Sequence, residues 1–515
     1  MIIQGEMTMT KYLLAHDLGT SGDKATLFTA DGTIVDSRVS GYGVEYSHGN
    51  WAEQDPEDWW RAVAQSTREL LAGIDPGQVA GVSFSGHMNG CVLVDRAGIP
   101  LRKAIIWADV RADYQADTLL EKIPMKRFYD ITGQRANASN SIEKLMWVRD
   151  NQPEIYENSY KMLQSKDYIS LKLTGNFVTD YTDASNSNAW DIRKNVWSEE
   201  ILVAAGIDGD KLPQPVESTA VVGYVTPQAA ALTGLREGTP VVAGGGDGVC
   251  ATVGAGCIRQ GEAYCCIGSS AWVSLAADQP VFDPEMRTFT LKHIVPGLYS
   301  PNGAMQSAGT SYNWMRDQIC RQEQLDAPDR DAVYARINQQ IQRAPAGSNG
   351  LLFLPYLIGE RSPWWDAQAK GAFIGLKLEH RREELLRSVA EGVAMNLAVI
   401  YEAFADQVEI KSFRLIGGAA KAGMWQQLLA DVTGQEIAIP NHLEEATSMG
   451  AAITGGVGVG LFPDFSVVDR FLQNRSTVRP NPENTAKYRE LLPIFQDSYR
   501  ALESICKRLS ELETR

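Results

Sequence analysis

Residues 12–29 read YLLAHDLGTSGDKATLFT, and this stretch decides the fold. An apolar strand is predicted at residues 12–16, and a second strand is predicted at residues 24–29. The turn between them contains two glycines, which accept backbone angles that other residues avoid. Asp31-Gly32, a pair typical of tight hairpins, then predicts a further turn before a third strand at residues 33–39.

Further along the chain, helices and strands alternate. A helix is predicted at residues 56–71, with Asp55 as its N-cap and Pro56 at its first position. A buried strand is predicted at residues 79–84, and the alternation of the two element types continues after it. This order is typical of an α/β architecture.

A second start of the same kind lies about one domain length later. Residues 263–275 read AYCCIGSSAWVSL, which predicts strand, turn and strand, with Gly268 and Ser269 in the turn. A single hydrophobic core stops growing at roughly 250–300 residues, and the chain has 515. We therefore expect two related domains that face each other, with a boundary near residues 254–261, and a closing helix at residues 487–515.

Composition and charge exclude several classes of protein. The formal net charge of −15 argues against nucleic acid and anionic membranes as partners, because both require a basic surface. No apolar run approaches the ~20 residues of a membrane helix, and residues 1–10 do not have the pattern of a secretory signal. They are interpreted as a disordered leader, with a translation start at Met7 or Met9 as the alternative. The seven cysteines form no CxxC pair and are expected to be buried free thiols in the cytoplasm.

The turn after the first strand has the residue types of a phosphate site. Gly19, Thr20 and Ser21 offer backbone N–H groups and hydroxyls to an anion. Asp17, at the end of the strand, could hold Mg²⁺ directly or through water, and Lys24 could add positive charge. A plain hairpin with a polar turn explains the same residues, so the motif alone leaves both interpretations open.

Two later stretches also run from an apolar strand into glycines. Residues 241–247 end in Asp247, which could accept a proton from a hydroxyl or could cap a following helix at residues 251–255. Residues 415–421 place Gly417 and Gly418 between a strand and a helix predicted at residues 424–432, as a nucleotide cradle does. They do not form a GxxxxGK[ST] loop, and the small residues 450–455 predict tight helix packing.

Longer patterns resemble the FGGY family of carbohydrate kinases over nearly the whole chain. Residues 139–151 fit the family's first signature, and residues 371–391 resemble the second, in which Ala390 replaces a larger apolar residue. Residues 51–60, 353–356 and 359–363 resemble the xylulokinase branch of the family. The two signatures occur in the family's order, which makes chance agreement improbable.

The resemblance implies the two-domain hexokinase–actin (ribonuclease H-like) fold, with a site in the interdomain cleft. The implied domains are residues 11–256, which bind the sugar and carry the catalytic Asp, and residues 257–515, which bind the nucleotide. The implied substrates are ATP and a small sugar or polyol, with Mg²⁺, and a homodimer is left open. By position, the resemblance implies a catalytic role for Asp247, metal binding by Asp17, sugar contacts from Met88, Asn89, Trp107 and Asp109, and nucleotide contacts from Gly19, Thr20, Ser21, Ser269, Gly309, Asn313 and Gly418.

The sugar-facing positions depart from the xylulokinase pattern. Asn89 stands where xylulokinases usually have His, and Ala108 and Gly248 stand where they usually have Asn. Because a lost polar partner at a hydroxyl can cost orders of magnitude in specificity, we expect D-xylulose to be a poor substrate. A related ketose or polyol is the first expectation, and ribulose, erythritol, erythrulose and gluconate are alternatives. An actin-like ATPase and a non-catalytic sugar sensor are the alternatives of another class.

Overall fold

The structure is a computed structural model that describes residues 11–513. Two seven-stranded sheets dominate it, one from each half of the chain. The first contains, in spatial order, Val221–Tyr224, Pro240–Val242, Val79–Gly86, Tyr12–Leu18, Gly22–Thr29 and Ile34–Gly41, with Gly245–Gly246 also paired to Val79–Gly86. The second contains Phe289–Lys292, Tyr299–Met305, Ala271–Leu275, Glu262–Ile267, Ser412–Ile416, Ile437–Pro440 and Asn474–Val478.

The two sheets share one pairing scheme. Strand Tyr12–Leu18 pairs antiparallel with the strand after its turn and parallel with Val79–Gly86. Strand Glu262–Ile267 likewise pairs antiparallel with the strand after its turn and parallel with Ser412–Ile416. The predicted duplication and the two-domain α/β fold are therefore confirmed.

Helices and short sheets surround these two sheets. The α-helices are Pro56–Leu70, Asp113–Lys122, Met125–Thr132, Ser141–Asn151, Pro153–Asn158, Ser165–Thr174, Tyr181–Asn186, Glu199–Ala205, Pro227–Thr233, Asp247–Gly254, Gly309–Gln318, Arg321–Asp326, Arg330–Ile341, Arg382–Ala405, Gly423–Thr433, Ala446–Gly458, Val468–Phe471 and Pro482–Glu513. The short sheets join Glu45–Ser47, Trp51–Gln54 and Ala104–Ile105; Val92–Val94 and Lys161–Leu163; Val178–Asp180 and Gln214–Val216; Trp190–Asp191 and Val196–Trp197; and Leu352–Leu354 and Ala372–Ile374.

The local elements follow the sequence closely. Helix Pro56–Leu70 begins as predicted, because the Asp55 side chain accepts a hydrogen bond from the backbone N–H of Glu57. Gly32 takes a φ of 85°, as the Asp-Gly hairpin requires. The first strand runs two residues further than predicted, to Leu18, because Leu18 pairs with Asp23 across the turn. The predicted leader at residues 1–10 lies outside the described residues.

One helix of the second half packs against the first sheet. Helix Ala446–Gly458 lies against helix Asp247–Gly254, and its glycines permit the contact. A Cβ on Gly450 would stand 1.9 Å from the carbonyl oxygen of Cys250, and one on Gly254 would stand 1.9 Å from that of Ala446. The tight helix packing predicted at residues 450–455 is confirmed. The division at residues 256–257 stays a prediction, since this helix crosses between the halves.

Helix Arg382–Ala405 is long and apolar enough in composition to cross a membrane. Nearly all of its most apolar window is buried inside the protein, where it packs in the core of the second half. Its composition is explained by that burial, as for the core helix of a globular domain.

Candidate active site

Two candidate carboxylates lie at the carboxyl ends of neighbouring strands in the first sheet. Asp17 pairs with Ser85 of the adjacent parallel strand, and Ser85 pairs in turn with Gly245, two residues before Asp247. Carboxyl ends of neighbouring parallel strands meet at one edge of a sheet, where α/β proteins place their ligand sites. Thr447, from the second half, donates a hydrogen bond to Asp17 Oδ2 at 2.8 Å, so this edge lies where the two halves meet.

Asp247 is held at the start of helix Asp247–Gly254 with part of its surface accessible. Burial raises its pKa to about 7, with a further contribution from the negative charge of Asp17. Its Oδ1 accepts a hydrogen bond from the Gly248 N–H at 2.7 Å. The interpretation of Asp247 as a helix N-cap is wrong, because Gly246 occupies that position and the helix starts earlier than predicted. A carboxyl group with this pKa can exchange a proton near neutral pH.

The three glycines before Asp247 allow close packing. Gly244 has a φ of 71°, and a Cβ there would lie 2.1 Å from the carbonyl oxygen of Phe84. A Cβ on Gly246 would lie 2.3 Å from the terminal methyl carbon of Met88. Met88, predicted to contact sugar, therefore lies beside the residue that precedes Asp247.

A buried polar network anchors this turn from behind. The Gly246 N–H donates to Thr182 Oγ1 at 2.8 Å, and Thr182 Oγ1 donates to Asp180 Oδ2 at 2.7 Å. Lys166 Nζ lies 2.8 Å from Asp180 Oδ1 and also contacts Asp167 and Asp183. Because these groups are nearly inaccessible to solvent and Thr182, Asp180 and Lys166 are linked in a chain, the network fixes the backbone that carries Asp247.

Asp17 lies in a setting that suits a cation. Ser85 donates a hydrogen bond to Asp17 Oδ1, and Thr447 donates one to Asp17 Oδ2, both at 2.8 Å. Burial raises the pKa of Asp17, and Lys24, opposite it on the neighbouring strand, acts against this rise. In the described part of the chain, no cluster of three or more His, Cys, Asp or Glu side chains could hold a metal. Mg²⁺ bound by one carboxylate and substrate phosphates needs no such cluster, so Asp17 fits that ion.

The first turn is braced by side chains from its own half. Tyr42 Oη donates to the Gly19 carbonyl at 2.6 Å, and Gln54 Nε2 donates to the Thr20 carbonyl at 2.8 Å. Trp107 Nε1 donates to Thr20 Oγ1 at 2.9 Å, while Ser21 stays exposed. Trp107, predicted to contact sugar, thus also positions the turn predicted to hold phosphate.

The second turn is held by backbone groups. Gly309 N–H donates to the Gly268 carbonyl, and Thr310 N–H donates to the Ser269 carbonyl, both at 3.0 Å. A Cβ on Gly309 would lie 2.3 Å from the Gly268 oxygen, so only glycine fits there. Ser269 itself is exposed, and its contact with the nucleotide stays a prediction.

The third turn, at Gly417 and Gly418, and helix Gly309–Gln318 carry the remaining residues predicted to contact the nucleotide. Gly417 takes a φ of 86° and lies against Ile267, next to the second turn. A Cβ on Gly418, in contrast, would meet nothing within 4 Å. Asn313 Oδ1 accepts hydrogen bonds from Tyr334 Oη at 2.7 Å and from Arg316 at 3.1 Å. Gly418 therefore borders open space, while Asn313 is already engaged by protein groups.

The predicted sugar residues differ in their availability. Asn89 has a φ of 61°, and its Oδ1 is buried with no hydrogen-bond partner in the described part of the chain. A Cβ on Gly248 would meet nothing within 4 Å. Asp109 is fully buried, and its oxygens accept hydrogen bonds from the Ala52 N–H and from Arg111. The structure leaves Asp109 no accessible oxygen for a sugar and makes it a partner of Arg111.

Sequence reasoning gave no role to Lys144, although it is part of the first signature. Its ammonium group is buried and donates to the carbonyls of Asn89 at 2.7 Å, Ile106 at 2.8 Å and Ser139 at 2.5 Å. It thereby joins the two segments that carry Asn89 and Trp107. Its position directly before the apolar run Leu145–Val148 of helix Ser141–Asn151 was the signal that could have identified it.

The chain matches known proteins along most of its length. The N-terminal domain of the FGGY family of carbohydrate kinases matches residues 12–254, and its C-terminal domain matches residues 263–459. A gluconokinase of Bacillus licheniformis is 32% identical over 96% of this chain and 97% of that protein. A xylulose kinase of Bacillus subtilis is 31% identical over 95% of this chain and 97% of that protein.

Solved structures agree with this assignment. The ligand-bound xylulose kinase of Lactobacillus acidophilus superposes with a TM-score of 0.90 at 28% identity, covering 97% of this chain and 100% of that one. The expectation of a sugar kinase that uses ATP is thus confirmed. The chain belongs to the FGGY family of carbohydrate kinases.

Proposed function

We propose that this kinase transfers the γ-phosphoryl group of ATP to a terminal hydroxyl of a small ketose or polyol, with Asp247 as the proton acceptor. The observation that carries the proposal is the position of Asp247, at the cleft edge of the first sheet beside Asp17, with a pKa raised to about 7. An accessible carboxyl group that titrates near neutral pH suits a hydroxyl acceptor.

In the proposed reaction, a sugar hydroxyl donates a hydrogen bond to Asp247. The hydroxyl oxygen forms a bond to the γ-phosphorus while the bond from that phosphorus to the bridging oxygen of ADP breaks. The hydroxyl proton passes to Asp247 late, because a carboxylate is a weak base towards an alcohol and acts chiefly by alignment.

The other residues bind and position the reactants. The turns around Thr20 and Ser269 offer backbone N–H groups and hydroxyls to the phosphates of ATP. Gly418 leaves room for the nucleotide, and Asp17 would hold Mg²⁺. When bound, Mg²⁺ neutralises charge on the phosphate oxygens. Closure of the two halves would exclude water and so favour transfer over hydrolysis.

The unpartnered Oδ1 of Asn89 supports a sugar subsite, because buried acceptors are normally hydrogen-bonded and a sugar hydroxyl would satisfy this one. A Cβ on Gly248, next to Asp247, would meet nothing within 4 Å, and this free space supports a preference for an acceptor other than D-xylulose. Gluconate is the second candidate, because a gluconokinase is among the relatives and matches 96% of this chain. A cytoplasmic location is part of the proposal and is supported by seven free cysteines, six of them buried. The homodimer stays a prediction.

A screen of ADP release tests the proposed function. The full-length protein, ATP and MgCl₂ are combined with D-xylulose, D-ribulose, erythrulose, erythritol, other polyols and gluconate. We expect one ketose or polyol to accelerate ADP release well above the acceptor-free rate, and D-xylulose to be a weaker acceptor. ADP release that no acceptor accelerates would contradict the proposal.

A further inference from the structure

A cation of the second half reaches across the cleft onto the first half. The guanidinium carbon of Arg361 lies 5.8 Å from the centre of the Trp107 ring. The same indole donates its N–H to Thr20 in the first turn. Arg361 therefore lies next to the site of phosphoryl transfer, although neither the mechanism above nor the sequence patterns gave it a role.

The charge of Arg361 is opposed by the adjacent Glu360, but burial raises the pKa of that carboxyl group to about 8, so it carries little negative charge at neutral pH. Within residues 11–513, no carboxylate forms an ion pair with it, and burial lowers its pKa. The neighbouring Glu360 uses its Oε1 to accept the backbone N–H groups of Gln306 at 2.7 Å and of Arg361 at 2.8 Å. A partly buried cation is costly unless an anion pairs with it, and an aromatic face compensates only in part.

The segment that carries Arg361 is hydrogen-bonded to the sheet whose strands flank the second turn. Ser362 N–H donates to the Ala304 carbonyl at 3.0 Å, and Ala304 lies on strand Tyr299–Met305. That strand pairs with Ala271–Leu275, which begins directly after the second turn. The backbone at Arg361 is thus held in place relative to one of the two turns predicted to bind phosphate.

We propose that Arg361 binds an oxyanion of the bound reactants, an inference that rests on the proposed kinase reaction. Two oxyanions can lie in this cleft: the γ-phosphoryl group of ATP, or the carboxylate of a sugar-acid acceptor. The planar guanidinium group can donate two parallel hydrogen bonds to either. In both cases the ligand supplies the ion-pair partner that Arg361 lacks within residues 11–513.

Steady-state kinetics of Arg361→Gln and Arg361→Lys distinguish the two sources. If the oxyanion is the phosphoryl group, Arg361→Gln lowers kcat by about 10²–10³-fold with neutral and anionic acceptors alike, as loss of one preorganised donor does. If it is a carboxylate, the KM for gluconate rises about 10- to 100-fold and neutral acceptors are unaffected. Arg361→Lys retains part of the effect, because it keeps the charge and loses the planar pair of donors.

The matched control is Arg96→Gln, which removes an exposed arginine that lies over the ring of Tyr160, away from the cleft. It should leave all kinetic constants unchanged. Unchanged constants in Arg361→Gln, in an enzyme that still phosphorylates its acceptor, would overturn the inference and leave the proposed function intact.

The unmodified enzyme provides a second test, should either variant fail to fold. Phenylglyoxal modifies accessible arginines, and mass spectrometry locates the modified residue. We expect a non-hydrolysable ATP analogue, or gluconate, to protect Arg361 and to leave Arg96 reactive. Equal modification of Arg361 with and without both ligands would contradict the inference.

Discussion

The two halves of the molecule use the same strand, turn and strand for different purposes. In the first half, the strand before the turn carries Asp17, two residues ahead of Gly19. In the second half, the equivalent position, two residues ahead of Gly268, is Cys266. The first turn is braced by side chains of Tyr42, Gln54 and Trp107, whereas the second is held by backbone hydrogen bonds from the helix that starts at Gly309.

The difference indicates that the two halves contribute different groups to the site. The first half supplies the carboxyl groups of Asp17 and Asp247, which are proposed to bind Mg²⁺ and to accept the proton. The second supplies a backbone cradle bordered by the open space at Gly418. Changes on the first side should therefore alter catalysis, and changes on the second should alter nucleotide binding.

The largest effect is expected from Asp247→Asn. Loss of the proton acceptor and of alignment should lower kcat by about 10²–10⁴-fold or more, while ATP affinity is retained. Turnover and calorimetric titration with ATP measure the two quantities. The control is Asp113→Asn, which removes an exposed carboxyl group that also begins a helix. Near-normal turnover in Asp247→Asn would remove the catalytic assignment.

The nucleotide cradle proposed for the second half is tested by Ser269→Trp and Gly418→Trp. Each places a bulky ring in the cradle, so ATP affinity should fall by roughly 100-fold, about 2.7 kcal/mol, while sugar affinity changes little. Calorimetry with ATP and with the best acceptor measures both. Ala97→Trp, in an exposed loop of the first half, is the control. Normal ATP affinity in both cradle variants would mean that the nucleotide lies elsewhere.

The sugar subsite proposed for the first half is tested by introducing the residues that xylulokinases usually have at three positions. Asn89→His, Ala108→Asn and Gly248→Asn together should raise the kcat/KM ratio for D-xylulose over the best acceptor. One restored partner is worth roughly 1–3 kcal/mol, so a single site could move this ratio ~5- to 150-fold. The structure permits two of the changes, because histidine tolerates the positive φ of Asn89 and Gly248 borders open space. The three effects need not add. A strong preference of the unmodified enzyme for D-xylulose would refute this account of the subsite.

The smallest expected effect is a pH-dependent change in thermal stability. Asp247 has a pKa of about 7 in the folded protein and an ordinary value of 3.8, so between these pH values the folded state holds a proton that the unfolded state lacks. The contribution of Asp247 to the free energy of unfolding therefore decreases as pH rises to about 7 and is constant above it. Asp247→Asn should raise Tm by a few degrees more at pH 8 than at pH 4.5. An equal change at both pH values would show that the pKa is not raised.

The amino-acid sequence alone was sufficient to predict the strands and turns that form the first and second turns of the site. Glycines, the Asp-Gly hairpin pair and apolar strands are local signals, and they predicted the repeated strand–turn–strand. The anchor behind Asp247 was not predictable in this way, because Thr182 and Lys166 lie far from it along the chain and meet it only after folding. The same reason explains Asp109, whose enclosure by Arg111 and the Ala52 N–H depends on packing that no short motif encodes.

The most direct measurement follows the fate of the γ-phosphoryl group. The full-length enzyme is incubated with ATP labelled at the γ-phosphate and the best acceptor from the screen, and the products are separated and identified by NMR spectroscopy. The account predicts that the label forms an ester at a terminal carbon of the acceptor. Recovery of the label as inorganic phosphate alone, with the acceptor unchanged, would contradict it and indicate an ATPase.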